Sequence, residues 1–145
     1  FTTFGGEALS LAAARATLRE LREKDVPALL ARQGRKLKEG YERLARDRGL
    51  DSHAVGADCR SLVPFSSADG DPLLQKSLLQ QELLRQGVLW SGFHNLCFAH
   101  TDADIEHVLR AYERALDVLA DAAASGGLER AIRGRPVQPI FRKTR

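Results

Sequence analysis

Residues 54–65, with the sequence AVGADCRSLVPF, decide the fold class, because the helical spacing of apolar residues stops here. Residues 54–57 and 61–65 predict two short strands, each an apolar run bounded by turn-forming residues. A second pair of short strands is predicted at residues 88–90 and 96–99, on either side of a Ser-Gly break. Strands of this length predict a small sheet that other elements must cover.

The rest of the chain has the 3.6-residue spacing of amphipathic helices. The first helix is predicted at about residues 8–24. The next three helices are predicted to begin after N-caps at Asp25, Asp71 and Thr101 and to end at Gly49, Gly87 and Gly126. This order of elements predicts an α+β fold in which a small antiparallel sheet is covered by helices.

The composition is that of one compact domain, since 43% of the 145 residues are hydrophobic and 28% are charged. These fractions exclude a disordered or collagen-like chain. No run approaches the ~18 to 20 apolar residues of a membrane span, so no membrane partner is expected. The sequence contains no Met and begins at Phe1, and we therefore expect it to be a piece of a larger protein.

Positive charge is concentrated near the end of the chain, although the net charge is only +3. Residues 128–145 contain six Lys and Arg residues against one acidic residue, Glu129. Such a tail can contact nucleic acid, but Phe141 is the only aromatic residue in it that a base could stack on. A solvated or docked C-terminal extension is the favoured interpretation, and nucleic-acid binding is the weaker alternative.

Two cysteines, Cys59 and Cys97, are too few for a disulfide framework and favour the reducing cytoplasm. Both lie in apolar, strand-like runs, which predicts unreactive core positions. His94, Cys97 and His100 have a spacing that a zinc site can use, but side chains three apart on a strand point to opposite faces. No metal site is therefore predicted.

Two hydroxyls and two glycines directly precede the first helix, at Thr2, Thr3, Gly5 and Gly6. The backbone amides at a helix N-terminus attract anions, and glycine lets a ligand approach the backbone closely. The segment therefore fits a phosphate site. Simple capping of the helix by Thr3 explains the same residues equally well, and the sequence leaves both interpretations open.

A family resemblance adds to the phosphate interpretation. The segment TTFGGEALSLAAA at residues 2–14 resembles a characteristic segment of the class-III aminotransferases, which depend on pyridoxal phosphate (PLP). The branch it resembles most is glutamate-1-semialdehyde 2,1-aminomutase and its relatives. Further similar segments lie at residues 34–37, 82–88 and 99–105, and the resemblance covers about residues 1–124.

The resemblance implies a domain organisation and an assembly. Residues 1–25 would be the end of the large domain and the connecting helix, and residues 26–124 would be the C-terminal small domain of a fold-type-I PLP enzyme. Residues 125–145 remain as a basic C-terminal extension. The resemblance also implies a cytoplasmic homodimer with the active site at the subunit interface.

The resemblance further implies that the whole protein moves an amino group between a donor and a small keto or aldehyde substrate. In the family, the threonine at the position of Thr3 reaches the PLP phosphate of the partner subunit, and the backbone near Thr2 assists. The lysine that holds PLP lies upstream of this segment in the family. The chain by itself therefore contains no predicted catalytic residue and should be inactive.

The substrate-binding stretch departs from the family pattern. Ordinary class-III enzymes carry an arginine there for the substrate carboxylate, whereas residues 90–95 read WSGFHN. The semialdehyde aminomutases also lack this arginine, but they have a Phe-Glu pair where this chain has Phe93 and His94. Trp90, His94 and Asn95 are therefore predicted to line a pocket for a substrate less acidic than glutamate semialdehyde. The alternative, that these residues only complete a strand and a turn, fits the sequence equally well.

A function of another class also fits the sequence. In this alternative the chain is a non-catalytic α+β module for dimerisation or binding, and its interface is the alanine-rich face of the first helix, near residues 8–16.

Overall fold

The computed structural model describes Thr3 and residues 5–138, which form five α-helices and three β-strands. The helices are α1 (Ala8–Glu23), α2 (Val26–Asp47), α3 (Pro72–Arg85), α4 (Asp102–Ala124) and α5 (Leu128–Ala131). The strands are β1 (Val55–Ala57), β2 (Arg60–Leu62) and β3 (Phe93–Asn95). Within the described residues, no helix is long and apolar enough to cross a membrane.

The strands form one antiparallel sheet in the order β1-β2-β3. On the central strand, Ser61 lies opposite His94 of β3, and Arg60 lies opposite Asn95. The predicted α+β class, with a small antiparallel sheet and covering helices, is confirmed.

The second predicted pair of strands is wrong. Residues 88–90 and 96–99 are not strands, and the third strand lies between them, in the stretch that was interpreted as a break and a turn. An apolar run does not by itself indicate a strand, because several of these residues are exposed, among them Leu89 and Phe98, and a buried residue can pack outside a sheet. Trp90, for example, is only 4% exposed although it belongs to no strand.

The core lies between the inner face of the sheet and the helices α2, α3 and α4. Helix α4 packs against both α2 and α3, and Tyr41, Leu79 and Tyr112 are completely buried where these elements meet. The apolar stripe predicted on α4 faces this core, with Ile105, Tyr112, Leu116 and Leu119 all buried. Burial of each large side chain of this kind contributes about 1.5 to 3 kcal/mol.

Two of the three predicted N-caps are confirmed. The Asp71 carboxylate accepts hydrogen bonds from the first-turn amides of α3, and Thr101 forms a capping box with Asp104 at the start of α4. Asp25 precedes α2 as predicted, but its side chain makes no capping hydrogen bond and its φ is +47°. The turn from α1 into α2 is so short that Asp25 adopts the left-handed conformation, which aspartate tolerates better than most residues.

The described part of the C-terminal extension, residues 125–138, is docked rather than solvated. Leu128 is buried, and the backbone N–H of Val137 donates to Oγ of Ser77 on α3 at 2.8 Å. The rest of the basic tail, residues 139–145, lies outside the described residues.

Candidate functional site

Trp90, His94 and Asn95 line one cavity of about 290 Å³. The cavity lies between β3 and the start of α4, because Asp104, Ile105 and other residues of that helix line its opposite side. The structure therefore brings together the three side chains that were predicted to contact substrate.

The three side chains differ in what they present to the cavity. Alternation along β3 leaves Phe93 43% exposed and Asn95 exposed, whereas His94 between them is only 3% exposed. Trp90 is buried, and its indole Nε1 has no hydrogen-bond partner among the described residues. Asn95 is thus the side chain of the three whose polar group can meet a ligand directly.

Both ring nitrogens of His94 are engaged inside the protein. Nδ1 lies 2.8 Å from Oγ of Ser61, and Nε2 lies 2.8 Å from the hydroxyl of Tyr112. Burial, with a smaller contribution from the positive charge of Lys38, lowers the pKa of His94 to about 4. His94 is therefore neutral at pH 7, with one ring nitrogen donating and the other accepting. We call these three residues the Ser61–His94–Tyr112 network.

The polar groups on the far side of the cavity escaped the sequence analysis. His100, Asp104 and His107 all line it. The Thr101 cap is a signal that could have found two of them, because it starts α4 at Asp102 and places Asp104 and His107, three positions apart, on one face of that helix.

The cavity has little formal charge. Among the described residues that line it, none is arginine or lysine. The Asp104 carboxylate belongs to the capping box, where it accepts hydrogen bonds from the backbone N–H and the hydroxyl of Thr101. These hydrogen bonds lower the pKa of Asp104. The cavity wall thus offers amide, imidazole and apolar surface, and no guanidinium or ammonium group for a carboxylate.

At the N-terminus, the structure identifies a cap that the sequence analysis missed. The Glu7 carboxylate accepts hydrogen bonds from the amides of Leu9 and Ser10, at 2.9 and 2.6 Å, and the hydrogen bonding lowers the pKa of Glu7. Capping of α1 by Thr3 is therefore wrong. A phosphate cannot use the same two amides while Glu7 occupies them.

The segment before Glu7 is still accessible to a phosphate. Thr3 is exposed, and Gly6 has a left-handed φ of +84° with open space where a side chain would be. An exposed hydroxyl beside an accessible glycine turn fits one edge of a phosphate group. Thr2, the other predicted contact, lies outside the described residues.

The His94, Cys97 and His100 spacing does not converge on one point. Both nitrogens of His94 are engaged, and Nδ1 of His100 accepts a hydrogen bond from the backbone N–H of Cys97. Over the described ranges, no cluster of three potential metal ligands occurs. The prediction of core cysteines is wrong for Cys97, which is exposed, while Cys59 is half-buried.

Comparison with known proteins gives matches to an aminomutase and to aminotransferases, although no family model matches the chain. The glutamate-1-semialdehyde 2,1-aminomutase of Desulfosudis oleivorans is 32% identical over 131 residues, which cover 82% of this chain and 30% of the relative. The putrescine aminotransferase of Pectobacterium atrosepticum is 36% identical over 89 residues, which cover 61% of this chain and 19% of the relative.

A solved structure supports the same relationship. The PLP internal aldimine form of the FumI protein from a Sphingopyxis species superposes with a TM-score of 0.70 and 29% identity, over 81% of this chain and 28% of that protein. The chain thus spans about a third or less of the length of the relatives that it matches. In sequence and in fold, the chain matches a part of the PLP-dependent aminotransferases and aminomutases, and the predicted resemblance is confirmed.

Proposed function

We propose that the chain is the C-terminal part of a PLP-dependent aminotransferase or aminomutase of class III. The whole enzyme moves an amino group between a donor and a small keto or aldehyde substrate. The observation that carries this proposal is the agreement of 32% sequence identity to an aminomutase with a TM-score of 0.70 to a PLP-containing structure, both over about four fifths of the chain. Residues 1–25 then end the large domain, 26–124 form the small domain and 125–145 form a C-terminal extension.

PLP, when bound, supplies the electron sink that stabilises negative charge on the carbon bearing the amino group. Thr3 contributes to its binding, because the exposed hydroxyl can donate a hydrogen bond to a phosphate oxygen. The glycine turn at Gly6 leaves room for the phosphate to approach, and the backbone at Thr2 assists. The lysine that holds PLP comes from outside this chain, and the chain alone is inactive.

The cavity beside β3 forms one wall of the substrate site. Asn95 offers an amide that orients a polar group of the substrate, Trp90 supplies apolar surface, and His94 supports the wall from inside. Because the described lining has no arginine or lysine, the part of the substrate that reaches this wall is less acidic than the carboxylate end of glutamate semialdehyde.

The assembly in this proposal is a cytoplasmic homodimer. Helix α1 has no buried residue within the chain, which supports a role in contacts with the rest of the enzyme or with a second subunit. A non-catalytic dimerisation module would use the alanine-rich face of α1 as its interface and would bind no PLP.

Cofactor retention in the full-length protein tests this proposal. We expect the purified protein to be yellow and to hold PLP on a lysine that borohydride traps and peptide mapping places upstream of Phe1. Thr3→Val should weaken PLP retention by about tenfold or more, because a hydrogen bond to a charged group contributes about 1.5 to 3 kcal/mol. The measurement is the PLP absorbance that remains after dialysis against a series of PLP concentrations.

Thr17→Val is the matched control, because the Thr17 hydroxyl lies on α1 and donates to the carbonyl of Ala13. It should retain PLP like the wild type. Unchanged retention in Thr3→Val would remove Thr3 from the phosphate site. A colourless full-length protein with no trapped PLP would contradict the enzyme and favour the dimerisation module.

A further inference from the structure

The backbone of β3 pairs with β2 over a short stretch, which backbone hydrogen bonds from Val63 N–H to the Gly92 carbonyl and from Leu96 N–H to the Cys59 carbonyl extend at each end. This strand has three residues, Phe93–Asn95, and among the described residues it pairs with β2 alone, at one edge of the sheet. Side chains alternate between the two faces of a strand, so a shift of one residue would turn His94 outward and bury Phe93 and Asn95. A short edge strand has few backbone hydrogen bonds to fix its register, so a buried side-chain contact adds to them.

The Ser61–His94–Tyr112 network provides such a contact from two directions. Ser61 lies directly opposite His94 in the sheet, and its hydroxyl is 2.8 Å from Nδ1. Tyr112 approaches from α4, with its hydroxyl 2.8 Å from Nε2. The exposed fractions of Ser61, His94 and Tyr112 are 1%, 3% and 0%, so a broken hydrogen bond could not be replaced by water without opening the core.

Aromatic packing holds the network in place. The Tyr41 ring packs edge-on against Tyr112 and His94, with ring centroids 4.9 and 5.9 Å apart. The Tyr41 hydroxyl bonds to Ser52 and not to His94. The position of Tyr112 is therefore fixed by ring contacts, and its hydroxyl is left for the histidine.

We propose that Ser61 and Tyr112 are positioning residues that fix the register of β3 through His94 and so hold Asn95 and Phe93 at the cavity. The role of that cavity as a substrate wall rests on the proposed function, whereas the register itself does not. Ser61 and Tyr112 touch no substrate in this scheme. They act by keeping two neighbours of His94 on the outer side of the strand.

Hydrogen exchange of the full-length protein tests the effect on the strand. Ser61→Ala and Tyr112→Phe should each raise amide exchange in a peptide covering residues 92–97 by about fivefold or more, the equivalent of one hydrogen bond. Tyr41→Phe is the matched control, because it keeps the ring that packs against His94 and removes a hydroxyl that bonds to Ser52 and not to His94. Its exchange in this peptide should stay near the wild-type rate.

One further variant, together with Tyr112→Phe, distinguishes the proposed role from a general loss of structure. Ser61→Thr keeps the hydroxyl and should restore slow exchange, which a role of Ser61 in packing alone would not predict. If Ser61→Ala fails to fold, Tyr112→Phe, which keeps the buried ring, decides the question. Unchanged exchange in Tyr112→Phe, or equal increases in Tyr112→Phe and Tyr41→Phe, would overturn the proposal.

Steady-state kinetics of the same full-length variants test the consequence for the cavity. With a small aldehyde as the amino acceptor, we expect Ser61→Ala and Tyr112→Phe to raise KM for that aldehyde severalfold while kcat and the PLP absorbance stay unchanged, because only the wall is misplaced. Faster exchange with an unchanged KM would overturn the positioning role at the substrate site. A wild-type protein without PLP would refute the proposed function separately, and the exchange data would still decide the register.

Discussion

His94 has no charge at neutral pH, because burial next to Tyr41 and Tyr112, together with nearby Lys38, lowers its pKa to about 4. In the unfolded chain the pKa of a histidine is about 6.5. Between these values the unfolded state takes up a proton that the folded state does not. The free energy of unfolding therefore falls as the pH falls through this window, by about 3 kcal/mol in total.

Urea unfolding of the chain at pH 7 and at pH 4.5 measures this effect. We expect the free energy of unfolding to be about 2 to 3 kcal/mol lower at pH 4.5. Replacing the exposed His53 by Gln should leave this pH dependence intact, whereas His94→Gln should make it shallower. Equal slopes in the wild type and in His94→Gln would show that His94 is not held neutral.

At the scale of elements, α2 runs without a break through Gly34 and Gly40. Both glycines lie where another part of the chain approaches the helix closely. A Cβ at Gly34 would lie 1.9 Å from the backbone carbonyl oxygen of Asp58, in the turn between β1 and β2. A Cβ at Gly40 would lie 2.5 Å from Cδ2 of Leu109, a side chain that can rotate away. The first contact is rigid and the second is not.

Alanine substitution separates these two cases by thermal or urea unfolding. Alanine favours a helix by about 1 kcal/mol relative to glycine, so a glycine with free space would gain stability. Gly34→Ala should instead lower the free energy of unfolding by about 1 to 3 kcal/mol, because the turn must move. Gly40→Ala should be close to neutral. A stabilised Gly34→Ala would mean that the turn at Asp58 yields at no cost.

Elements governed by neighbouring residues could be predicted from the sequence, and elements governed by distant ones could not. The helical spacing and the Asp71 and Thr101 caps act over three or four residues, and the predicted helices α1 to α4 follow from them. The position of β3 depends on pairing with β2, far away in the sequence. The partners of His94 were missed for the same reason, since neither Ser61 nor Tyr112 is near it in the chain.

At the scale of the whole molecule, helix α1 contributes no residue to the hydrophobic core. It has no buried residue, and the leucines on one of its faces, Leu11, Leu18 and Leu21, are 59%, 65% and 36% exposed. A row of exposed leucines on one helix marks a surface that another molecule or domain covers. Because the chain spans about 30% of a relative's length, the 145-residue chain on its own leaves this surface open.

The 145-residue chain should therefore associate with itself as its concentration rises, and sedimentation velocity over a concentration series measures this. Leu11→Glu with Leu18→Glu should shift the chain towards the monomer, whereas Leu84→Glu, at an exposed leucine of α3, should not. Salt distinguishes this contact from one made by the basic segment after residue 128, since screening weakens charge contacts and leaves apolar contacts intact. A chain that stays monomeric at high concentration would show that the α1 leucines alone do not drive association.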